Sequence, residues 1–480
     1  MSEKSLLQKN KLWLSLLLIA VAVICCLMWY ISFLPHPQGG WSSKLLTISD
    51  SLSGRLSGKR FFVYDSAGNK TWETPGALMV QDALSTDLDG DGEKDLLLLL
   101  WKIGKYGSAR PFWVTEDEKA YSQHIFIYRV SDDGQVHQKW CASEIGNEIR
   151  RMKLFEKNEQ LLLVEDVTGA NTLWRWESFG LKILENSVTF ACFGDNIIHK
   201  EIYEYAFDRE GGSFDFLYEP FVKDIRAADI AVFQQETMLV DSRDAVGGYP
   251  KFGSPQEVGE AVYEAGFDIA ACAGNHALDR GIYGIDVTTD FYSERGIICL
   301  GVQNSREKEF HPYRLVSKHG ITFAMFDLTY GTGDMDVSDR YPYAVRYLPQ
   351  DRDEEQALLD EMAEARDNSD FIIIFVHWGK EYETHANEEQ RRMAGLFAEG
   401  GADVVVGTHP HVLQEVESIP RPDGGQTLVY YSLGNFRAYQ AQMEETKVGG
   451  EATFRVEHTF DGVRLISHDL RTIDAFVELK

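Results

Sequence analysis

Histidine, carboxylate and amide side chains recur directly after apolar runs in the second half of this chain. The candidates are Asp195, Glu236, Asn275, His276, His377, His409, His411 and Asn435. Neutral imidazoles, together with carboxylate and amide oxygens, suit Mn, Fe or Zn better than Ca. Two such ions a few ångströms apart can orient and activate water and stabilise an attacked phosphoryl or acyl centre. The residue types therefore predict a site for divalent transition metal ions, with two ions expected.

His276 and Asp279 have the chemistry of proton transfer rather than of metal binding. The His276 imidazole can point to a substrate as a general acid, while its neighbour Asn275 offers an amide oxygen to a metal. Asp279 lies three residues after His276, where its carboxylate can orient the imidazole ring. Arg243 follows the segment that ends in Glu236 and could meet an anionic substrate, although a surface arginine explains it equally well.

The apolar runs before these side chains predict the strands that position them. The six segments are Val188–Phe193, Ile230–Glu236, Phe267–Ala273, Phe371–Val376, Ala402–Gly407 and Thr427–Tyr431. They alternate with segments typical of helices, which predicts an α/β fold with a mainly parallel sheet and helices on its faces. In such sheets, functional groups collect at the carboxyl ends of the strands. We therefore expect the six strand ends to share one site.

Four motifs within this region resemble the signatures of the CapA family, the bacterial poly-γ-glutamate capsule synthesis proteins. They are Gly-Asn-His-Ala-Leu-Asp-Arg-Gly (274–281), His-Trp-Gly-Lys-Glu-Tyr (377–382), Gly-Thr-His-Pro-His-Val-Leu-Gln (407–414) and Tyr-Ser-Leu-Gly-Asn-Phe (431–436). The resemblance covers about residues 188–440, and a β-rich extension is expected over residues 441–480. It implies a fold similar to calcineurin-like metallophosphoesterases, a four-layer sandwich that holds two metals. It also implies that the metal ligands are Asp195, Glu236, Asn275, His377, His409 and His411, and that the acid is His276.

This chain departs from the resembled pattern around the first two strands. Phosphoesterases of this type open with Asp-x-His, whereas this chain has Asp195-Asn-Ile197. Glu236 stands where a bridging aspartate is expected, and two glutamines precede it where family members usually have Asn-Leu. One metal position is therefore short of a ligand unless His199 or Glu381 supplies it, and Asn435 is a further accessory candidate. The resemblance thus predicts the metal site and leaves turnover open.

Residues 45–185 are predicted to form a β-rich domain. Three segments share the order of apolar run, Gly turn and Trp, namely 62–72, 125–140 and 161–174. Each is expected to fold as a hairpin around its glycine. The tryptophans that end these segments are 68 and 34 residues apart, which suggests a period near 34. Such a period suits stacked β units or the blades of a partial β-propeller.

An acidic loop within this β-rich domain has the composition of a calcium site. Carboxylates stand at positions 1, 3, 5 and 9 of the loop, at Asp87, Asp89, Asp91 and Asp95. With glycines between them they would make an oxygen cage of the kind that calcium binds. The loop resembles the DxDGDG loops of integrin-type β-propeller repeats rather than an EF-hand, because position 12 is Leu98. An acidic hairpin turn without metal is the alternative.

The segment from Leu12 to Leu34 contains no charged residue. As a helix with about 1.5 Å per residue it would reach roughly 34 Å, enough to cross a bilayer core. Three lysines precede it, so the positive-inside rule places residues 1–11 in the cytoplasm and the bulk of the chain outside. A cleaved signal peptide is the alternative, but the run is long for one and no small-x-small cleavage site precedes Pro35. We expect a single-pass protein of the cell membrane.

The net charge of −28 excludes one class of partner. Nucleic acids need a basic surface, so a nucleic-acid-binding function is not expected. The same charge disfavours a protein that lies flat on an anionic leaflet. None of the six cysteines forms a CxxC pair, so a zinc ribbon or a dithiol redox site is not expected either.

Two functions are consistent with these observations. In the first, the chain is a membrane-anchored extracellular CapA-type protein that acts in capsule or poly-γ-glutamate biosynthesis or export through a metal-dependent hydrolase-like site. In the second, it is a non-catalytic accessory factor that binds or scaffolds the polymer. In both, the expected partners are an anionic envelope polymer similar to poly-γ-glutamate and the membrane synthesis machinery.

Overall fold

The computed structural model describes residues 41–106, 110–155, 158–333, 335–441 and 443–479, with the backbone alone at residues 158 and 159. The chain divides into two compact units, and the division falls between Glu185 and Asn186. The predicted cytoplasmic segment 1–11 and the predicted membrane helix 12–34 lie outside the described residues. Within the described ranges, every helix is too short or too polar to span a lipid bilayer.

The described part of the first unit contains three antiparallel sheets, each made of four strands that are consecutive in the chain. The first sheet contains β1 (Lys44–Thr47), β2 (Leu52–Ser57), β3 (Arg60–Asp65) and β4 (Lys70–Glu73). The second contains β5 (Met79–Thr86), β6 (Asp95–Ile103), β7 (Tyr121–Val130) and β8 (Val136–Cys141). The third contains β9 (Ile149–Phe155), β10 (Asn158–Asp166), β11 (Asn171–Glu177) and β12 (Gly180–Leu184). Sheets of four antiparallel strands are the units from which β-propeller blades are made.

The three predicted hairpins are present as antiparallel pairs, β3 with β4, β7 with β8 and β10 with β11. Their turns contain Gly68, Gly134 and Gly169, whose φ angles are 81°, 80° and 90°. Glycine adopts such angles without steric cost, so the Gly turns identified in the sequence have a direct conformational role.

The 34-residue period is wrong as a description of the structural repeat. Trp72 and Trp140 lie on the last strands of the first and second sheets, whereas Trp174 lies on the third strand of its sheet. The 17-residue connection between β6 and β7, residues 104–120, lengthens the second sheet relative to the others. The repeating unit is therefore the four-stranded sheet, which the tryptophan spacing does not follow.

Strand β6 is buried on both faces, which explains its unbroken leucine run. Leu96, Leu98 and Leu100 pack with residues of the first sheet. Leu97 and Leu99 pack on the opposite face with residues of the third sheet. Because strand side chains alternate between faces, a strand covered on both sides is a continuous apolar run in the sequence.

Within its described residues, the second unit contains fifteen strands and seven α-helices. The strands are β13 (Ser187–Asn196), β14 (Ile230–Gln235), β15 (Leu239–Val240), β16 (Ser254–Pro255), β17 (Ile269–Ala271), β18 (Ile298–Leu300), β19 (Arg314–Lys318), β20 (Ile321–Thr329), β21 (Phe371–His377), β22 (Val404–Thr408), β23 (Val416–Pro420), β24 (Gln426–Tyr430), β25 (Asn435–Arg437), β26 (Val448–Thr459) and β27 (Gly462–Asp474). The helices, within the described residues, are α1 (Lys200–Arg209), α2 (Asp215–Tyr218), α3 (Val222–Ile225), α4 (Gln256–Ala265), α5 (Gly281–Glu294), α6 (Arg352–Asn368) and α7 (Glu388–Glu399).

Most of these strands belong to two sheets whose central strands are parallel. The first sheet has the order β18-β17-β14-β13-β26-β27, with β25 beside β13. The second has the order β19-β20-β21-β22-β24-β23. The apolar runs alone predicted one sheet, which is corrected because the six predicted strands divide evenly between two sheets. Two sheets are what the four-layer sandwich implied by the family resemblance requires. The C-terminal hairpin of β26 and β27 extends the first sheet with antiparallel strands.

The two sheets pack face to face with helices on their outer faces. Phe190 and Val232 of the first sheet share a buried cluster with Phe323 and Ile373 of the second. The outer face of the first sheet packs on α1, α4 and α5, and that of the second packs on α6 and α7. These four layers form an α/β sandwich in which the carboxyl ends of both sets of parallel strands lie together.

Candidate metal centre

The carboxyl ends of strands from both sheets bring predicted ligands to one place. Asp195 lies near the end of β13, Glu236 directly follows β14, His377 ends β21 and His409 directly follows β22. The His409 backbone N–H donates to Asp195 Oδ2 over 3.1 Å. His377 Nε2 lies 3.0 Å from Oδ1 of Asn275. Apart from the half-buried Asn275, these residues are buried.

His411 lies between two carboxylates at the middle of this cluster. Its Nδ1 is 3.1 Å from Asp195 Oδ2, and its Nε2 is 3.9 Å from Glu236 Oε1. Ligand-type atoms of Asp195, Glu236 and His411 lie within 4.8 Å of one another, and those of Glu381, His409 and His411 form a second such group. The two groups overlap at His411, so ligand-type atoms of five residues lie together at the centre.

The turn from His409 to His411 has a strained backbone that directs both imidazoles into the cluster. The φ angles of His409 and His411 are +96° and +59°, in the left-handed region that residues with a Cβ rarely adopt. Each such conformation costs about 1–2 kcal/mol and is found mainly at functional sites. Gly407 precedes the turn, and a Cβ at Gly407 would collide with the backbone carbonyl of Tyr431. Glycine at position 407 is therefore required for the close approach of the Tyr431 backbone.

Several buried atoms of the cluster have unsatisfied hydrogen-bonding capacity. Asp195 Oδ1 and His409 Nδ1 have no hydrogen-bond partner, and neither carboxylate oxygen of Glu236 receives a hydrogen bond from a donor. A buried polar group without a partner costs about 1–3 kcal/mol, and a buried unpaired charge costs more. Carboxylate oxygens and a neutral imidazole nitrogen that face one another in this way fit divalent transition metal ions.

Burial and neighbouring charges shift the pKa values within the cluster. Burial lowers the pKa of His377 well below its ordinary value and that of His409 to about 3, and the neighbouring imidazoles add to both effects. Burial raises the pKa of Glu236 well above its ordinary value. Burial also opposes a charge on His411, but the carboxylates of Glu236 and Asp195 raise its pKa to about 9. His377 and His409 are therefore neutral at pH 7, the form in which histidine binds metal. His411 is held protonated by the two carboxylates and would release its proton when a metal ion binds.

His276 lies beside the cluster and is held by a carboxylate. Its Nδ1 is 2.7 Å from Asp279 Oδ2. The same oxygen accepts the backbone N–H of Phe252 over 2.7 Å, which fixes the carboxylate. The Phe252 ring meets the imidazole edge to face, with ring centroids 4.7 Å apart. With Nδ1 occupied, Nε2 is the nitrogen of His276 that remains for a substrate, as expected for a general acid.

Of the accessory candidates, Glu381 joins the cluster and His199 is used otherwise. The Glu381 carboxylate lies with His409 and His411 in the second ligand group. His199 Nδ1 accepts a hydrogen bond from the Tyr439 backbone N–H over 3.2 Å. Burial lowers the pKa of His199 to about 4.

Asn435 and Arg243 have structural contacts. The Asn435 side-chain amide donates to Gln440 Oε1 over 2.9 Å and to a backbone carbonyl over 3.0 Å. Its own Oδ1 is buried without a partner. Arg243 forms an ion pair with Glu257, its side chain is 58% exposed, and its guanidinium lies 4.0 Å from the centroid of the Phe207 ring. Arg243 thus has the contacts of a surface arginine, which was the alternative to a role in binding an anionic substrate.

The position of the missing Asp-x-His histidine is filled by an apolar contact. Ile197 is 2% exposed and packs with Phe252 and Ala438 in a small apolar cluster. Its side chain offers no ligand atom to the centre. Glu381, the accessory candidate from the motif around His377, lies with His409 and His411 in the second ligand group.

The predicted calcium loop of the first unit differs from the expected cage. The carboxylates of Asp87, Asp89 and Asp91 lie within 4.8 Å of one another. Asp95 is buried, and its two carboxylate oxygens accept hydrogen bonds from Lys139 Nζ over 2.9 and 2.8 Å. The same ammonium is 2.6 Å from Asp89 Oδ2. The expected cage of four carboxylates is thus corrected to a group of three, in which Asp89 also pairs with Lys139 and Asp91 pairs with Arg129.

Asp327 is a residue next to the centre that the sequence reasoning missed. It lies on β20, and its Oδ2 accepts the backbone N–H groups of Cys272 and Ala273 over 2.7 and 2.8 Å. These residues lead into the loop that contains Asn275, so Asp327 ties that loop to the second sheet. The available signal was one carboxylate inside the apolar run 321–329, where an acidic residue is rare without partners.

Asp327→Asn should remove a pH dependence of stability. Burial, partly opposed by the two backbone hydrogen bonds, raises the pKa of Asp327 from 3.8 to about 8. The contribution of this carboxyl to stability is therefore complete below about pH 4 and is lost as the pH rises to about 8, by up to about 1.4 kcal/mol per pH unit. Asparagine can still accept both N–H groups but does not titrate. The free energy of unfolding, measured with urea between about pH 5 and 8, should fall less steeply with pH for the variant than for the wild type. Equal slopes for the two proteins would contradict this role of Asp327.

Comparison with known proteins gives a family match over the same region. Residues 189–440, more than half of the chain, match the family model described as "Bacterial capsule synthesis protein PGA_cap". The "PGA biosynthesis protein CapA" of Bacillus subtilis (strain 168) is 27% identical over 261 residues, which are 53% of this chain and 65% of that protein. The "Capsule biosynthesis protein CapA" of Bacillus anthracis is 26% identical over 261 residues, 52% of this chain and 59% of that protein. The match thus spans less than two thirds of either relative.

Solved structures similar to this chain include two phosphatase-type proteins. The calcineurin-like phosphoesterase YfkN from Bacillus subtilis has a TM-score of 0.36 and 13% identity, covering 60% of this chain and 91% of that chain. A phosphatase from Mycoplasma pneumoniae has a TM-score of 0.35 and 13% identity, covering 60% of this chain and 94% of that chain.

Proposed function

This chain belongs to the PGA_cap family of bacterial capsule synthesis proteins, and on that premise we propose that it acts in the biosynthesis or export of a capsule or poly-γ-glutamate polymer. We propose further that its second unit contains a metal-dependent hydrolase-like site. Two relatives are named for capsule or PGA biosynthesis, which supports the polymer class. The site itself is supported by one observation, the two adjacent groups of ligand atoms that share His411.

The residues of the cluster would hold two ions of Mn, Fe or Zn. The proposed ligands are Asp195, Glu236, Asn275, His377, His409, His411 and Glu381. When bound, ions of this type polarise a phosphoryl or acyl oxygen and activate water for attack. The chain supplies the ligand geometry through the strained turn at His409 and His411 and through the buried carboxylates.

His276 would transfer the proton in this proposal. Its Nδ1 is bonded to Asp279, so its Nε2 can give a proton to the leaving oxygen or nitrogen when the substrate bond breaks. The second bond of Asp279, from the Phe252 backbone, keeps the pair in one orientation. The proposed reaction class is hydrolysis or transfer at a phosphate, ester or amide bond of an envelope polymer.

Removal of metal should abolish turnover, and restoration of Mn or Zn should recover it. The purified protein would be treated with a chelator and assayed with bis(p-nitrophenyl) phosphate and with a γ-linked glutamate oligomer. Calcium is the matched control, because imidazole-rich sites favour transition ions over calcium. Turnover that survives chelation, or that calcium restores equally well, would contradict a transition-metal hydrolase.

A non-catalytic role is the second candidate, and one observation favours it. Ile197 fills the position of an expected ligand with an apolar contact, so the centre differs from the resembled pattern at a metal ligand. In this case the metal would be a docking point for the carboxylates of the polymer. A metal-loaded protein that binds the γ-linked glutamate oligomer without cleaving it, or any tested ester, would favour this role.

We also propose that residues 12–34 anchor the chain in the cell membrane, with residues 1–11 in the cytoplasm and both units outside. The uncharged apolar segment and the preceding lysines support this orientation. A protease added to intact cells should then degrade the second unit and spare a tag at the N-terminus. Protection of the second unit would contradict this orientation.

A further inference from the structure

Two aromatic side chains of the first unit are exposed side by side in the connection between β6 and β7. Phe112 and Trp113, the aromatic tip, are 94% and 70% exposed. They are the two central residues of a β-turn, which the Val114 N–H closes by donating to the Pro111 carbonyl over 3.0 Å. The two rings meet edge to face, with centroids 4.8 Å apart. Large apolar side chains that are exposed together mark an interaction surface.

Hydrogen bonds fix both ends of the connection that contains the aromatic tip. The Gly104 N–H donates to the Ala120 carbonyl over 3.0 Å. The Asp117 carboxylate accepts the Lys105 N–H over 2.8 Å, and the Glu144 N–H donates to the Lys105 carbonyl over 2.7 Å. The connection therefore leaves and rejoins the second sheet at one place, the carboxyl end of β6.

The chain enters the first unit at the same end of β6. The Ser42 N–H donates to the Gln81 carbonyl over 3.2 Å. The Gln81 side chain in turn accepts a hydrogen bond from Trp101 Nε1 over 2.7 Å. Trp101 lies on β6, two residues before its last residue, Ile103. The entry point of the chain and the connection with the aromatic tip are therefore neighbours in the first unit.

The proposed membrane segment is close to this entry point along the chain. It ends at Leu34, seven residues before Trp41, and Trp113 likewise stands seven residues before Ala120. A chain of that length spans at most about 25 Å when it is fully extended. The carboxyl end of β6 is therefore held near the bilayer surface, and the connection is long enough for the aromatic tip to reach that surface.

The chemistry of the aromatic tip suits lipid better than an acidic polymer. Residues 110–120 contain two basic and three acidic side chains, a net charge of −1. Such a segment does not attract a polyanion or depend on anionic lipid. Exposed aromatic rings instead favour the boundary between lipid headgroups and acyl chains, where tryptophan is enriched. Burial of the two rings, rather than charge, would drive a contact at this place.

We propose that Phe112 and Trp113 insert into the lipid interface of the membrane beside the point where the chain leaves the bilayer. This inference rests on the proposed membrane anchor and adds a second contact with the same bilayer. Two contacts would fix the orientation of the first unit on the membrane, whereas one connection alone would leave the unit free to rotate. A second copy of the chain and a polymer are the competing partners of the aromatic tip.

Hydroxyl-radical footprinting of the full-length protein in phosphatidylcholine vesicles tests this contact. Phe179 is the internal control, because it has the same ring and is 91% exposed. In the vesicles, Phe112 should be oxidised about tenfold more slowly than Phe179, the ratio expected when burial of one aromatic side chain drives insertion. Equal oxidation rates at the two phenylalanines, in protein that floats with the vesicles, would overturn the proposed contact.

The position of Phe179 makes it a suitable control. It lies in the turn between β11 and β12 of the third sheet. The next residue, Gly180, packs on the Trp140 ring. Trp140 pairs with Ile127, which pairs with Leu97 near the amino end of β6. Phe179 is thus placed next to a part of the second sheet away from the end at which the chain enters.

Two substitutions at exposed positions provide an independent test. Phe112→Asp should abolish the protection of Trp113 from oxidation, because a carboxylate at the turn would have to lose its hydration in the lipid interface. Phe179→Asp is the matched control and should leave Trp113 protected. Both side chains are almost fully exposed, so both variants should fold and float with the vesicles. Unchanged protection of Trp113 in Phe112→Asp would overturn the contact.

The outcomes separate this contact from the membrane anchor. Wild-type protein that does not float with the vesicles would overturn the anchor and this inference together. Protein that floats but leaves Phe112 unprotected would overturn the contact alone. Protection that disappears at a low protein-to-lipid ratio would assign the aromatic tip to a second copy of the chain. Protection that requires an added γ-linked glutamate oligomer or oligosaccharide would assign it to a polymer, and either result would overturn the lipid contact.

Discussion

His411→Ala should lower the affinity of the protein for transition metal ions by more than about 100-fold. Within the described residues, His411 is the one residue that belongs to both groups of ligand atoms, so its removal should leave both proposed ion positions short of a ligand. Loss of residues that merely support a ligand already costs about 10–100-fold in affinity, and loss of a ligand should cost more. The substitution also leaves Asp195 and Glu236 without the imidazole that lies between them. The measurement is a competition titration with a chelator of known affinity.

A surface histidine provides the control for this substitution. His385 has a side chain that is 86% exposed, so His385→Ala should bind metal as the wild type does. A His411→Ala variant that folds and binds two ions with unchanged affinity would contradict the assigned centre. Unfolding curves of both variants in the presence and absence of metal distinguish a loss of ligand from a loss of structure.

His276→Ala should lower turnover about 10²–10⁴-fold, the range expected for loss of a general acid. His276 contacts Asp279 and the Phe252 ring but is absent from both groups of ligand atoms. The variant should therefore keep its metal while it loses activity. The readout is kcat on bis(p-nitrophenyl) phosphate together with metal content in the same sample.

Asp279→Asn tests how much of the activity depends on the orientation of the His276 ring by Asp279, as distinct from proton transfer by His276 itself. Asparagine can still bond to the imidazole, but it cannot stabilise the protonated ring, so we expect a smaller loss than for His276→Ala. Unchanged turnover in His276→Ala would show that the mechanism assigned to this residue is wrong. Loss of metal in the same variant would instead make His276 a ligand.

The strand ends of the site could be predicted from the sequence because they depend on local patterns. Apolar runs that end in Asp195, Asn275, His377 and His409 combine a strand signal with a ligand signal, and parallel strands present their carboxyl ends together. The pattern does not say which strands share a sheet. A buried strand is an apolar run in either sheet, so the runs alone predicted one sheet, and the two-sheet sandwich was predicted by the family resemblance.

Other parts of the site depend on contacts between distant segments. Asp327 bonds to the backbone of Cys272 and Ala273, which are more than 50 residues away in the chain. Glu381 reaches His409 and His411 through a loop whose path includes a positive φ at Tyr382. Neither contact leaves a periodic signal in the sequence. The motif around His377 offered Glu381 as a candidate ligand, but motif spacing alone could not place it beside His409 and His411.

The first unit shows the same division between local and long-range features. Its hairpins depend on glycine turns and were predicted, whereas the repeat length was not, because residues 104–120 interrupt the spacing of the sheets. The acidic loop was identified by its carboxylates. The ion pair between Asp95 and Lys139 could not be predicted in this way. Lys139 lies on β8, 44 residues after Asp95, and its position depends on the register of β7 and β8.

Elemental analysis of the purified full-length protein, after dialysis against metal-free buffer, tests the metal centre most directly. The cluster of Asp195, Glu236, His409, His411 and Glu381 predicts two transition metal ions per chain. Calcium alone, or no ion at all in protein that has been offered Mn, Fe and Zn, would contradict it.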